Sequence, residues 1–464
     1  MKKDNIQSIS NLLSQALLNG VNFVLIIIFT HYLSTEDYGV VSLYIAYSLF
    51  AAIILGLTVH GSIGTALIHL EESKRKNYIA SIMLLSCISF FTFCFIAFIF
   101  RKTIVSFTGL DLTLVCILFF HGFGISTYNF ITIYNIFRKR AENNLYIVIG
   151  LVLGMLLLSW IGIFYGEYFT SAYLVRILSL ALPYIICGIS IIIYVFRLGN
   201  SFIDFKSSVS FCLPLCIPLI FHGLSHIVLS QTDKIMLQKL IHDNAAVGIY
   251  SFVVTFTHVL NTISIALNNT WVPRFYDYLK LKQYDNVYVR TKEYSNLFTL
   301  LTCGFLMVVP EFVYILADKA YWSGLSVLPV LTIAIYMTFL YLFPVNFELY
   351  HKESRVVACG TMGAALCNII FNYFLIPYYG MLGAAVATLL SYILLVFFHM
   401  YFANKIGKGS YPYNILFFAK YILGVLVACV VYYICFDYVI IRWGIALMIT
   451  LLLVKQVFKN KRLF

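Results

Sequence analysis

The chain has 464 residues, of which 62% are hydrophobic and only 11% are charged, and its formal net charge is +12. Apolar runs of about 20 residues, the length that crosses a bilayer as a helix, recur from one end to the other. This composition excludes a sizeable soluble domain and predicts an all-α polytopic membrane protein. The basic start, MKKDNIQSIS, is followed by no small-residue cleavage site, so we expect no signal peptide.

The apolar runs predict fourteen transmembrane helices joined by short loops. Their predicted ranges are 10–33, 37–60, 79–100, 112–136, 145–165, 172–197, 211–240, 246–270, 293–316, 325–347, 356–376, 382–403, 414–436 and 440–457.

The basic residues indicate how these helices are oriented. With the amino terminus placed in the cytoplasm, 23 of the 31 Lys and Arg residues fall on the cytoplasmic side and 5 fall outside. The outside set is Arg101, Lys102, Lys239, Lys319 and Arg442. Arg176, Lys234 and Lys420 lie within or at the ends of helices. Because cytoplasmic loops of membrane proteins are enriched in Lys and Arg, we expect both termini in the cytoplasm. The bias also explains the positive charge without nucleic acid as a partner.

Polar residues form similar stripes on predicted helices 1 and 7. The stripe on helix 1 consists of Asn11, Gln15, Asn19 and Asn22. The stripe on helix 7 consists of His222, His226, Ser230 and Asp233, each 211 residues later. This spacing keeps each set on one helix face. The offset spans six helices, so the two halves share one orientation, as in transporters built from parallel repeats. The alternative is chance similarity between polar helices.

A second pair of positions repeats at the same offset. Asn135 and Glu142, which flank the basic loop after predicted helix 4, recur as Asn346 and Glu353 after predicted helix 10. Several turns also resemble each other between the halves, with slips of two or three residues. The repeat therefore predicts two pseudo-symmetric bundles with a substrate path between them.

The stretch QTDKIMLQKLIHDNAAVGIY, residues 231–250, places Asp233 and Lys234 inside an apolar run. A charge at membrane depth costs about 2.5–3.5 kcal/mol, which makes it a functional candidate. We expect Asp233 to couple an ion gradient to transport, with His226 and His222 further along the same face, because imidazole titrates near neutral pH. The alternatives are that the pair snorkels to the outer interface, or that Asp233 ties helix 7 to helix 1 through Asn22.

Three further helices carry polar faces. They contribute His121, Tyr128, Thr132 and Asn135 on helix 4, Thr257, Asn261, Ser264 and Asn268 on helix 8, and Asn368 and Asn372 on helix 11. An unpaired amide in hydrocarbon costs several kcal/mol, so these faces should turn inward and line a wet cavity. The alternative for any one residue is a hydrogen bond between helices, worth about 0.6 kcal/mol.

No enzyme motif is present. The chain has neither a G-x-x-x-x-G-K-[ST] loop nor an H-E-x-x-H helix, and its eleven cysteines lack partners at metal-ligand spacing. We therefore expect no catalytic residues, no cofactor and no metal site, and we favour transport over catalysis.

Four stretches resemble polysaccharide flippases. They are SQTDKIMLQKLIHDNAAVGIYSF at 230–252, LSTEDYGVVSLY at 33–44, NTWVPRFY at 269–276 and NYFLIPYYGMLGAAVATLLSYIL at 372–394. The chain is similar to Wzx-type O-antigen flippases of the multidrug/oligosaccharidyl-lipid/polysaccharide (MOP) exporter superfamily. The resemblance covers helices 1–12, and the helix pair after Lys405 departs from the twelve helices common in that family.

The resemblance implies an architecture. It consists of two six-helix lobes in a V shape like that of MATE transporters, at 1–206 and 207–404, followed by two additional helices and a basic tail at 405–464. In related lipid II flippases such an additional pair forms a groove for the lipid tail, which would place Lys420 near a lipid-tail groove.

The resemblance also implies a function. It is the ion-coupled movement of undecaprenyl-diphosphate-linked oligosaccharide repeat units, for O-antigen or capsule, from the cytoplasmic to the periplasmic leaflet of a bacterial inner membrane. The partners would be this lipid-linked substrate, a proton or sodium gradient, and other membrane proteins of polysaccharide assembly.

Within that function, Arg176 and Arg274 are expected to hold the diphosphate, because a guanidinium can bond two of its oxygens at once. The alternative is that Arg176 snorkels and Arg274 anchors a cytoplasmic loop. The remaining expected cavity residues are Asn19, Asn22, His121, Asn135, Asn261 and Asn268.

Two other functions stay open. A cation-coupled multidrug exporter of the same superfamily would need carboxylates in its cavity, but Glu167, Glu311 and Glu348 fall near helix ends. More remote is a membrane enzyme acting on lipid-linked glycans, for which the outer loops are short.

The orientation can be tested by cysteine labelling in a cysteine-free background. We expect a cysteine at Ser34 to react with an impermeant reagent in intact cells, and cysteines at Ser73 and Asn143 to react only after the membrane is opened. Labelling of the Asn143 cysteine in intact cells would contradict the whole arrangement, because the repeat depends on this loop being cytoplasmic.

Overall fold

The computed structural model of the chain describes residues 2–165, 171–407, 411–413 and 415–459, without the side chains of residues 2–9, 12, 415 and 457–459. Among these residues there is no strand, and helices account for nearly the whole chain. The expected positions Glu167 and 460–464 of the basic tail lie outside the described residues.

The helices follow one another with short connections. In chain order they are α1 (Lys2–Thr30), α2 (Thr35–Gly56), α3 (Ile63–His69), α4 (Glu72–Ile99), α5 (Arg101–Thr108), α6 (Leu112–Phe137), α7 (Glu142–Tyr165), α8 (Ala172–Leu198), α9 (Phe205–Ile241), α10 (Asn244–Lys280), α11 (Tyr284–Leu316), α12 (Leu328–Tyr350), α13 (Ser354–Gly407), α14 (Ile415–Ile434) and α15 (Val439–Lys459). Two 3₁₀ turns, Val59–Ser62 and Lys319–Ser326, complete the described secondary structure.

The fold class and the fourteen spans are confirmed. Thirteen helices of the described chain are long and apolar enough to cross a membrane. One of them, α13, contains two predicted helices, because Gly380 breaks it with φ 56° and ψ −130°, a conformation that favours glycine. The short helices α3 and α5 were not predicted, since neither has the length of an apolar span.

Several helices are longer than the apolar runs that predicted them. The helix α10 continues ten residues past the predicted end at 270, and α11 begins nine residues before the predicted start at 293. Hydropathy marks only the part of a helix that lies in hydrocarbon, whereas hydrogen bonding along the backbone continues into the polar ends.

The chain divides into two compact units, one up to Gln231 and one from Thr232 onward. In the first unit, α6 packs against α2 and α8, and α7 packs against α1 and α8. In the second unit, α12 packs against α10 and α13, and both α14 and α15 pack against α11.

The division falls inside α9 rather than in a loop. The first turns of α9 bury Cys212 and Cys216 in the core of the first unit, where Ser62 Oγ lies 3.4 Å from Cys212 Sγ. Its last turns belong to the second unit. The expected lobe boundary at 206/207 stays a prediction about the transport cycle.

Two equivalent turns end α6 and α12. In the first, Arg140 N donates to Asn135 O at 2.9 Å, and in the second Glu353 N donates to Glu348 O at 3.0 Å. Each turn contains a left-handed lysine, Lys139 or Lys352, with φ 56° and 65°. Equivalent residues of the two turns are therefore 213 positions apart, whereas the polar stripes of predicted helices 1 and 7 are 211 positions apart. With an offset of 213, the equivalent of Asn135 is Glu348.

An ion pair fastens the last helix to the second unit. Arg442 is one of the five basic residues expected on the outer side; it lies in the first turn of α15 and is fully buried. Its Nη1 donates to Glu311 Oε2 at 2.9 Å, and its Nη2 pairs with Glu311 Oε1. Nη1 also donates to the Met307 carbonyl at 3.0 Å. This bidentate ion pair connects α15 to α11.

Removing one member of this pair should destabilise the second unit. We expect Arg442→Met to lower the stability by up to about 3–5 kcal/mol, because Glu311 is left as an uncompensated charge. Arg442→Met with Glu311→Leu should recover most of the loss. The measurement is the thermal unfolding midpoint of the purified protein in detergent, and a single variant as stable as wild type would show that the pair contributes nothing.

Candidate functional site

The second unit contains a buried carboxylate with two hydroxyl donors. Asp233, on α9, is 5% exposed. Its Oδ2 accepts hydrogen bonds from Tyr250 Oη of α10 at 2.7 Å and from Thr388 Oγ1 of α13 at 2.9 Å. The alternative role of Asp233 is a tie to helix 1 through Asn22, whereas its hydrogen-bond partners in the structure are Tyr250 and Thr388, both in the same unit as Asp233.

Two amides extend this arrangement along α13. Asn368 Nδ2 donates to Thr388 Oγ1 at 3.4 Å, and Asn372 Nδ2 donates to Asn368 Oδ1 at 3.0 Å. Both amides are fully buried. We call the set Asp233, Tyr250, Thr388, Asn368 and Asn372 the oxygen cluster.

Two oxygens of the oxygen cluster lack a hydrogen-bond partner in the described chain. Asp233 Oδ1 and Asn372 Oδ1 are buried and have no hydrogen-bond partner among the described residues. Leaving a buried acceptor unpaired costs about 1–3 kcal/mol. Oxygen atoms are the ligands that hard cations prefer, so both oxygens are of the kind that binds a sodium ion, and the carboxylate oxygen can also take up a proton.

Chain topology brings the cluster to one level of the second unit. Asp233 lies eight residues before the end of α9, and Tyr250 lies six residues after the start of α10. Asn372 and Thr388 lie eight residues before and after the break at Gly380. At 1.5 Å per residue, all four are roughly 9–12 Å from the same end of their helices.

The other residues expected to act with Asp233 are placed differently. His222 and His226, on the same helix, are exposed and precede the boundary between the units. Lys234 is 9% exposed and interacts electrostatically with Asp233. Of the three residues predicted to couple an ion, the structure brings only Asp233 into the oxygen cluster.

The first unit contains a buried cation. Arg176, on α8, is 2% exposed, and its Cζ lies 5.2 Å from the ring centroid of Phe29 on α1. Its Nη1 donates no hydrogen bond within the described structure. The fully buried guanidinium therefore does not snorkel to water, and its donor capacity is partly unused.

A buried histidine lies between two tyrosines in the same unit. His121 Nδ1 on α6 is hydrogen-bonded to Tyr44 Oη at 3.1 Å, and the two rings stack with centroids 5.7 Å apart. Tyr184 covers the imidazole with a centroid distance of 5.4 Å. Nε2 has no partner among the described residues, so this ring nitrogen could still bind a ligand or water.

Two of the expected cavity amides bond to other amides. Asn135 Nδ2 donates to Asn144 Oδ1 at 2.8 Å, and Asn144 Nδ2 donates to Asn11 Oδ1 at 3.5 Å. In the second unit, Asn346 Nδ2 donates to Asn268 Oδ1 at 2.7 Å. These bonds tie neighbouring helices together, which is the structural role weighed for single polar residues.

The remaining predicted site residues are more accessible. Asn19 is exposed, while Asn22, Asn261 and Arg274 are half-buried. Lys420 is exposed on α14, with its Nζ 4.7 Å from the ring centroid of Tyr421.

Comparisons with known proteins identify the family. The profile of the family described as polysaccharide biosynthesis protein matches residues 7–279, more than half of the chain. The chain belongs to the polysaccharide biosynthesis protein family. A comparison with curated protein sequences gives no match.

Solved structures similar to this polysaccharide biosynthesis protein show its fold. The lipid II flippase MurJ, in an inward closed conformation, has a TM-score of 0.71 at 14% identity, over 98% of this chain and 99% of that chain. An inward-facing MATE multidrug transporter of the MOP superfamily has a TM-score of 0.67 at 14% identity, over 85% and 96% of the two chains. The Vibrio cholerae MATE transporter VcmN has a TM-score of 0.55 at 14% identity, over 90% and 100%.

These likenesses show the fold of the chain. It is the fold of the MOP superfamily transporters just described, and with thirteen apolar helices long enough to cross a membrane in its described part the chain is a multi-pass membrane protein.

Sequence reasoning missed several buried polar residues of this polysaccharide biosynthesis protein. Tyr250 and Thr388 gave no signal, because hydroxyl residues are common in helices. Glu348 and His399 form a fully buried pair with 2.8 Å between Oε2 and Nδ1. Glu348 was set aside because it lies near a helix end, but an ionisable residue in a run as apolar as 339–347 was a usable signal.

Proposed function

We propose that this chain is a flippase that moves undecaprenyl-diphosphate-linked oligosaccharide repeat units, for O-antigen or capsule, across the bacterial inner membrane. Membership of a polysaccharide biosynthesis family and a transporter fold shared with a lipid II flippase support this proposal. In this proposal transport is driven by a proton or sodium gradient, and both termini lie in the cytoplasm.

The observation that carries the proposal is the buried guanidinium of Arg176. One nitrogen of this buried cation, Nη1, donates no hydrogen bond within the described structure, which is costly, so Arg176 is suited to meet an anion in another state of the transport cycle. Among the described residues of the first unit, no Asp or Glu is buried. A diphosphate fits this environment, whereas a cationic drug would need a carboxylate there.

The oxygen cluster is the proposed site of the driving ion. It contains the Asp233 carboxylate, and two of its buried oxygens, Asp233 Oδ1 and Asn372 Oδ1, have no partner among the described residues. Its residues come from three helices. Filling it with sodium or a proton would change the contacts among α9, α10 and α13 in that unit. A ligand shifts a conformational equilibrium only through such a difference in affinity between states.

The last two helices give a further part of the proposal. The helices α14 and α15 both pack against α11, and exposed apolar residues line them, including Leu423, Leu426, Leu447 and Leu451. A polyprenyl tail fits an apolar surface of this kind, with Lys420 near its edge. The proposed flippase would also contact other membrane proteins of polysaccharide assembly.

The role of Arg176 can be tested with Arg176→Lys. Lysine keeps the charge but loses the planar fork, and a lost charge-assisted hydrogen bond of about 1.5 kcal/mol or more lowers export about tenfold or more. The measurement is surface polysaccharide in a deletion strain that carries the variant, normalised to the amount of protein in the membrane. Arg274→Lys is measured in parallel.

The matched control is Arg197→Lys, on the same helix but exposed. It should export like wild type. Wild-type export by Arg176→Lys would leave the guanidinium with a purely structural role.

The role of Asp233 can be tested with Asp233→Asn. Asparagine keeps the size and can still accept from Tyr250 and Thr388, but it has no charge for sodium and does not titrate. We expect wild-type export in reconstituted vesicles to follow an imposed sodium or proton gradient, and Asp233→Asn to lose that response. A sodium site would also raise the unfolding temperature in sodium over choline at equal ionic strength.

The control for this experiment is Asp277→Asn, an exposed carboxylate on α10. It should keep the gradient response. Gradient-driven export by Asp233→Asn at the wild-type rate would show that the carboxylate is only a tie between helices.

A further inference from the structure

The second unit holds a second ionisable site, away from the oxygen cluster. Glu348 lies in the last turn of α12, and His399 lies eight residues before the end of α13. Both side chains are fully buried, and His399 Nδ1 lies 2.8 Å from Glu348 Oε2. Ionisable residues inside a membrane protein are functional candidates, and Asp, Glu and His are the residues of proton relays.

Each member of the pair has one atom without a partner. Glu348 Oε1 and His399 Nε2 are buried and make no hydrogen bond within the described structure. Nε2 faces the backbone of Gly360, where an added Cβ would lie 2.6 Å from it. The pair is therefore not saturated, and each member keeps a position for a proton or a water molecule.

The neighbouring titratable groups come from three segments. Glu353 follows α12 and interacts electrostatically with Glu348. Tyr411, in the linker to α14, also interacts with Glu348, and the ring centroid of Tyr341 on α12 lies 6.0 Å from that of His399. Glu353 is exposed to water, so it can exchange protons with solvent near the buried pair.

A tie between helices does not require ionisable groups here. The turn register aligns Glu348 with Asn135, whose side chain bonds to the neutral amide of Asn144 at 2.8 Å. A buried ion pair adds little stability over apolar or neutral groups, because desolvation offsets the attraction. The acid and the imidazole are thus better suited to proton binding than to fastening helices.

Two protonation states of the Glu348–His399 pair are relevant, one neutral and one cationic. With one shared proton the pair is neutral overall, whether the proton lies on the carboxyl or on the imidazole. A second proton makes the pair cationic, and this form is favoured only when water or a carboxylate such as Glu353 reaches it. We propose that the Glu348–His399 pair is a proton-binding site that exchanges with solvent beside the turn at Lys352.

Two tyrosines interact with residues of the two sites. Tyr392 interacts electrostatically with both Asp233 and Tyr341, and Tyr341 lies against His399. Thr388 and His399 are eleven residues apart on α13, which is about 16 Å along a helix. Occupation of one site can therefore influence the other through Tyr392 and Tyr341. That link to transport rests on the proposed function, whereas proton binding does not.

The test is an infrared titration of the purified full-length protein in detergent. Difference spectra across a pH series report the C=O stretch of a protonated carboxyl. We expect a band that appears and disappears with pH and is absent in Glu348→Gln, with no sodium, cargo or gradient present. In His399→Gln the midpoint of that band should move by about one pH unit or more, as for coupled sites.

Two controls separate this pair from other carboxyls. Glu353→Gln, on the exposed turn, and Asp233→Asn, in the oxygen cluster, should both retain the band. Identical spectra for wild type and Glu348→Gln across the whole pH series would overturn the proposal. So would a band that His399→Gln leaves at the same midpoint, and either result would leave the export experiments on Arg176 and Asp233 unaffected.

Discussion

The structure depends on the cost of placing polar groups in hydrocarbon. A buried polar group without a partner loses several kcal/mol, so the polar side chains of the helices need partners. Many hydroxyls donate to a carbonyl of their own helix, as Thr302 does to Phe298, and some amides bond to a neighbouring helix, as Asn346 does to Asn268. Among the buried atoms without a partner in the described chain are those of four residues, Arg176, Asp233, Glu348 and His399, and at these positions the chain keeps a cost that packing does not remove.

These unpaired atoms differ in charge between the two units. The first unit buries the cation Arg176 and no carboxylate among its described residues, whereas the second buries Asp233 and Glu348. Under the proposed function, the anionic cargo binds in the first unit and the driving cation in the second. The helix α9 runs through the division, with Cys212 packed in one unit and Asp233 in the other.

Sequence alone predicted the spans because hydropathy depends on each segment by itself. It also identified Asp233, since a charge in an apolar run stands out without any knowledge of its partners. The partners Tyr250 and Thr388 come from helices 17 and 155 residues away, so no local pattern could name them. The burial of Arg442 could not be predicted for the same reason, because its counter-ion Glu311 lies 131 residues earlier in the chain.

The two ionisable sites of the second unit also constrain how a gradient could act. The cluster at Asp233 lies near one end of its helices, while Glu348 and His399 lie near the opposite end of α12 and α13. One elementary charge moved across the whole membrane yields about 2.3 kcal/mol per 100 mV. A site near either end captures only the part of that energy that corresponds to its depth. If both proposed sites are occupied during transport, an ion at Asp233 and a proton at Glu348–His399 respond to different parts of the membrane potential, because the two sites lie near opposite ends of their helices.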